Sequence, residues 1–246
     1  MSIKVVIFNE NVQETTFDEV QPMILAQHPN GIHDTLAGIV NEMGEQAEVS
    51  VTTLKDIEKG LSQEVLDKTD VVIWWSHVAH GEVPDHIVDN IYNRVMKGMG
   101  LIVLHSSHYS KIFKKLLGTT CDLRWRDDTY ERLFCINPSH PIARGIPENF
   151  EVGMDECYGE RFDIPDPDEI IFLGWYDIGE VFRSGITYKR GYGKIFYFQP
   201  GHETNAAYHN KYIRKIIKNA VEWAAPQQYR SELGSPQIEK LLEKIV

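Results

Sequence analysis

Three histidines each follow closely on an apolar run: VVIWW precedes His77, GLIVL precedes His105, and KIFYF precedes His202. An imidazole titrates near neutral pH and, when neutral, ligates divalent metals. Two chemistries follow. In one, His202 is a general acid/base tuned by Glu203 or Glu156. In the other, His77, His105 and His202 hold a divalent metal such as zinc that carries a water, with a carboxylate in attendance. The turn LHSSH also offers Ser106, which becomes a nucleophile only if an imidazole lies within hydrogen-bond reach. No G-x-S-x-G pattern marks a strained elbow there.

The segment GMDECYGERFD (153–163) is acidic and reads as an irregular loop. In extended chain Asp155 and Glu156 point opposite ways. We therefore expect Glu156 to face the site with Tyr158 on the same side; a solvated acidic loop is the competing reading. Trp75 and Trp125 offer aromatic faces for a sugar ring, whereas Trp74, on the other side of its strand, reads as core. The other histidines take plainer roles: His80 and His86 on a loop and helix surface, His140 in a Pro-limited turn, and His28, His33 and His209 as surface or capping residues.

The elements that must position these groups alternate. Continuous Val- and Ile-rich runs predict buried strands at 3–9, 47–53, 70–76 and 100–105, and helical periodicity fills the intervals at 31–44, 62–69, 83–98 and 110–118. Strand and helix in alternation imply right-handed crossovers and a parallel sheet covered on both faces, with ligands beyond the carboxyl ends of its strands. Further strands are expected at 130–136 and 169–177, then a hairpin over 180–201 turning at Lys189–Gly193. A long helix over 205–225 ends at Pro226. The chain thus divides into an α/β domain, 1–225, and a tail, 226–246. Ile238, Leu241, Leu242 and Ile245 recur in the tail at helical spacing and must bury their stripe on the domain itself or on a second copy of the chain; we expect a homo-oligomer.

Composition narrows the partners. A net charge of −11 argues against nucleic acid, whose phosphates need a basic face. No apolar stretch is long enough to span a membrane, and the N-terminus enters a strand at once, so a cytoplasmic protein is expected. Three widely spaced cysteines, with no CxxC pair, fit reduced thiols rather than a disulfide framework. No nucleotide cofactor is indicated.

The turn GLIVLHSSHYS, the segments HPIARGI and DECYG, and the ending GKIFYFQPGHE before a helix closing in NAVEWAA together resemble the trehalose-utilisation (ThuA-like) family over roughly Lys4 to Ala225. The resemblance implies a flavodoxin-like, three-layer α/β fold with a mainly parallel sheet, of the class I glutamine amidotransferase type. Its amidotransferase relatives carry a nucleophilic Cys on a strand-to-helix elbow and a His-x-Glu pair after a late strand. Here His202 and Glu203 stand where that pair would, at tighter spacing, and the elbow holds His105, Ser106 and Ser107. Thioester chemistry needs a thiolate, so glutamine hydrolysis is not expected. What the resemblance implies instead is an enzyme acting on trehalose-like disaccharides or their keto derivatives. The alternative is a sugar-binding or regulatory protein that kept the fold and lost the chemistry.

Overall fold

Strands covered on both faces can be apolar throughout, and every residue of β3 (Val71–Trp75) and β4 (Gly100–Leu104) is buried in the computed structural model, which describes residues 2–234 and Glu243. With β1 (Ile3–Asn9), β2 (Ala47–Thr53) and β9 (Gly193–Phe198) they form a parallel half-sheet. β5 (Arg124–Cys135), β6 (Asn149–Gly159), β7 (Glu169–Tyr176) and β8 (Val181–Arg190) extend it antiparallel, giving nine strands in the order β2-β1-β3-β4-β9-β8-β7-β5-β6. The expectation of a mainly parallel sheet is corrected here: parallel and antiparallel pairings are equal in number. β7 to β8 and β8 to β9 are joined by four and two residues, hairpin connections that only antiparallel neighbours allow.

Alternate residues along each central strand serve opposite layers. Val5, Ile7, Ile102 and Leu104 pack with Leu36, Ile39 and Val40 of α3 (Ile32–Asn41) and Ile213, Ile216 and Ile217 of the last helix, α8 (Lys211–Ala224). Val6, Phe8, Val72 and Val103 pack the other way, onto α4 (Ile57–Gly60), α5 (Gln63–Asp67), α6 (Asp85–Met96) and α7 (Lys111–Leu117). Before them, α1 (Gln13–Thr16) and α2 (Gln21–Gln27) occupy the connection after β1 that reads as a long loop in the sequence.

Helix ends follow local chemistry. Ser62 and Ser110 cap α5 and α7 by accepting N–H bonds from Val65 and Phe113, and Gly118 ends α7 at φ +73°. The last helix starts later than its periodicity predicts, because Asn210 accepts the Tyr212 N–H as an N-cap and a separate turn occupies Ala207–His209. Beyond Pro226 the chain folds back: the Tyr229 hydroxyl donates to the Thr69 carbonyl at 2.7 Å, and the Arg94 guanidinium stands 4.6 Å from the Tyr229 ring centre. Ile238, Leu241, Leu242 and Ile245 lie outside the described residues.

Candidate active site

β3, β4 and β9 are neighbours and parallel, so their carboxyl ends arrive side by side at one rim. The order β2-β1-β3-β4-β9 reverses direction at β1, the kind of switch point beyond which open α/β sheets bind ligands. At this rim the rings of His77, His105 and His202 lie 5.4–6.2 Å apart, centre to centre, each edge-on to the others. His77 and His202 border a cavity of about 640 Å³ whose wall also includes Ser106, Trp125, Glu156 and Tyr158, and His105 stands behind that wall.

Each imidazole is held differently. His105 sits at the strand-to-helix elbow with φ +50°, a left-handed conformation that side-chain-bearing residues rarely take. A strained elbow therefore does exist, and a histidine rather than a serine occupies it. Its Nδ1–H donates to the Gln199 carbonyl at 2.8 Å, turning Nε2 toward the Tyr158 hydroxyl at 3.3 Å and Glu156 Oε2 at 2.9 Å. That carboxylate oxygen is buried off the line of any hydrogen-bond donor, so its contact with the ring is one of charge. Burial alone would discharge His105, but Glu156, then Asp155 and Glu203, outweigh it and raise the ring to about 9. The same pairing lowers the Glu156 carboxyl against the effect of its burial.

His77 Nδ1 lies 3.0 Å from Glu203 Oε1. Burial opposes both charges; the pairing prevails, raising His77 and bringing Glu203 down to about 2. His202 pairs through Nδ1 with the Thr204 hydroxyl at 2.9 Å, and its Nε2 is 3.7 Å from Glu203 Oε2. Among the described residues, donor atoms within 4.8 Å of one another form two sets, His77–His202–Glu203 and His105–Glu156–His202. The three imidazoles expected to share one metal are thus split between two sets, each completed by a carboxylate. Two imidazoles and a carboxylate suit a divalent metal with an open position, and the undonated Glu156 oxygen fits the same use.

The expected residues do not all reach the cavity. Glu156 and Tyr158 line it together, as their alternation on one strand predicts. They belong to β6, however, so the segment read as an acidic loop is strand through Gly159. Trp125 lines the mouth and is 63% exposed. Trp75 is fully buried, its indole N–H donating to the Gly201 carbonyl at 3.4 Å; it backs the site instead of lining it, because both faces of β3 are covered. The Ser106 hydroxyl donates to the Ser76 carbonyl at 2.8 Å, not to an imidazole, so the base a serine nucleophile needs is not its partner. His28, expected at the surface, is buried beneath His209.

Several site residues carry no obvious mark in the sequence. Glu10 accepts the N–H groups of Val78 and Ala79 and so fixes the loop that presents His77. His80 and His108 line the cavity, neutral at physiological pH because burial lowers them to about 3 and about 4. Buried Asp155 accepts three backbone N–H groups. The one available signal was position: Glu10, His80 and His108 all follow parallel strands. Cys121, Cys135 and Cys157 are buried and none stands at the elbow position itself, and burial pushes the Cys121 and Cys157 thiols up to about 11 and about 12.

The family model described as ThuA, trehalose utilisation, matches residues 4–224. The chain belongs to the ThuA family. A ThuA-like protein from Parabacteroides merdae superposes with a TM-score of 0.68 at 17% identity, over 95% of this chain and 93% of that one. A ThuA-like protein from Bacteroides uniformis gives 0.65 at 18% identity, over 90% and 91%. A Thermoplasma acidophilum protein described as part of a GMP synthase gives 0.51 at 13% identity, over 90% and 94%. At these identities the likeness is one of fold. Curated proteins offer no match to the chain. Among the described residues no helix is long and apolar enough to cross a membrane.

Proposed function

We propose that this ThuA-family protein is a cytoplasmic enzyme of carbohydrate utilisation, acting on trehalose, a related disaccharide or a keto derivative by acid–base chemistry. The observation that carries this reading is the convergence of His77, His105 and His202 from three strand ends, with Glu156 and Glu203 buried among them, at a rim where His77, Glu156, His202 and Glu203 line one cavity. His202 borders the cavity with its ring in no close ion pair, and is the group assigned to exchange a proton with substrate. Glu156 is its acid–base counterpart on the facing strand. His105 does not itself line the cavity; held protonated, it places a fixed positive charge behind Glu156 and Tyr158, where negative charge on a sugar oxygen would be stabilised. The Tyr158 hydroxyl, raised well above its ordinary value by burial, stays protonated and can donate to such an oxygen. Trp125 offers a stacking face at the mouth.

A divalent metal such as zinc would be held by His202 with His105 and Glu156, or with His77 and Glu203, and when bound would polarise a sugar oxygen or acidify a water. The binding-protein reading has one observation in its favour: His105 and His77 are already paired with carboxylates and are not free bases. Elemental analysis of purified protein, then calorimetry and product detection with trehalose with and without added zinc, separates these readings. Product formation supports the enzyme. Saturable heat without product supports the binder, and neither heat nor product with any disaccharide or keto sugar removes the sugar assignment. An assembly of identical chains through the tail is proposed with this reading; truncation after Pro226 and solution mass test it.

A further inference from the structure

The chain from Gln199 to Ala206, which delivers His202 and Glu203, contains no regular structure, and Gly201 within it stands at φ +136°. Among the described residues, no backbone carbonyl accepts the N–H groups of Gly201 or His202. Both go to one side chain. Asp155, fully buried on β6, accepts the Gly201 N–H through Oδ2 at 2.9 Å and the His202 N–H through Oδ1 at 3.0 Å. The same Oδ1 accepts the N–H of Glu156 at 2.9 Å. One carboxylate thus fastens the backbones of the two residues assigned to proton transfer, one from the antiparallel half of the sheet and one from beyond the parallel half. Hydrogen bonds from N–H to a carboxylate are stronger than those to a neutral acceptor.

We infer that Asp155 is a positioning residue: it locks the His202 loop onto β6 and so sets where the His202 ring stands relative to Glu156 and His105. The inference rests on the acid–base reading for its meaning, but its geometry needs neither substrate nor metal. Asp155 is not part of the wall of the site cavity and takes no proton from substrate; its work is the distance between two other residues. Gln199 supports the same seam, its side-chain N–H donating to the Glu156 carbonyl at 2.9 Å while its own carbonyl accepts from His105. Gln199, however, is the first residue of that stretch, three positions before His202, and its side chain bonds Glu156 and not the His202 backbone.

The test is Asp155→Asn, which keeps the shape but sets an NH₂ group against the Gly201 N–H, read by NMR contacts between histidine ring protons. In the unaltered protein the His202 ring should show contacts to His105 and His77. In D155N these should be lost while the Phe8–Trp74 contact in the core is retained. Retention of the His202–His105 contact in a folded D155N overturns the inference, whatever happens to activity. Zinc affinity gives a second readout, expected to fall about 10- to 100-fold as for lost supporting hydrogen bonds around a metal site. A protein that binds no zinc in any form would count against the metal and leave the ring contacts to decide. Should D155N fail to fold, Asp155→Glu and amide exchange in the unaltered protein replace it. The Gly201 and His202 amides should then exchange as slowly as sheet amides, and rapid exchange of both overturns the inference.

Discussion

Glu203 reaches 126 positions back along the chain to stand 3.0 Å from His77 Nδ1, while His202, its neighbour in sequence, turns toward Thr204. Two adjacent residues thus take separate tasks. Glu203 neutralises and orients one imidazole, and His202, held through Nδ1 by Thr204, stands at the cavity with its Nε2 3.7 Å from Glu203. The motif read as a single His–Glu unit is, in space, two half-units.

That pairing carries a pH signature. Glu203 is lowered from 4.5 to about 2, so its stabilisation is full above 4.5 and is lost as pH falls toward 2. His77 is raised above 6.5, so its share is full below 6.5 and is lost as pH rises through the raised value. Glu203→Gln should therefore cost most between pH 4.5 and 6.5. There we expect a loss of about 1–3 kcal/mol in denaturant unfolding, since a buried pair is broken but a hydrogen-bonding group remains. A difference from wild type that is flat from acid to alkali would refute the pairing.

His105 should remain charged through neutrality and release its proton near 9. Replacing Glu156 by Gln removes the main opponent of burial, and the ring should then titrate about one to three pH units lower. NMR of ¹³C-labelled histidine reads this directly. An unmoved titration would mean that Glu156 does not hold the charge.

His202→Ala should lower turnover about 10²- to 10⁴-fold, the range for losing a general acid or base. The side chain is partly exposed and belongs to no core cluster, so the melting temperature should change by only a few degrees. Steady-state kinetics beside thermal unfolding makes the comparison. Undiminished turnover would remove His202 from the reaction.

The two tryptophans should separate sharply. Trp125→Ala is expected to weaken disaccharide affinity about 3- to 10-fold, roughly 0.5–1.5 kcal/mol, with stability within about 0.5 kcal/mol of wild type. Trp75→Ala empties a buried volume and should cost about 3–5 kcal/mol of stability instead. Calorimetry paired with denaturant unfolding distinguishes them, and equal affinity after loss of Trp125 would end its binding role.

The parallel half of the fold was legible because its strands are hidden on both faces, which leaves uninterrupted runs such as VVIWW and GLIVL in the sequence. The gathering of His77, His105 and His202 followed from that topology. β6 was not legible for the opposite reason. Its Asp155 and Glu156 are buried by partners far away in sequence, the Gly201 and His202 amides and the His105 ring, so a strand carrying them looks like solvated loop. Trp75 misled because alternation along β3 signals nothing when neither face meets water. His28 misled because a histidine after a short helix gives no local sign that Tyr208 and His209 will close over it.

The three cysteines have a practical consequence. Each is enclosed in the folded molecule, and burial holds every thiol in its unreactive, protonated form. An alkylating reagent can reach them only when the structure opens, so the speed at which label accumulates under native conditions serves as a clock for that opening, with no probe added to the chain.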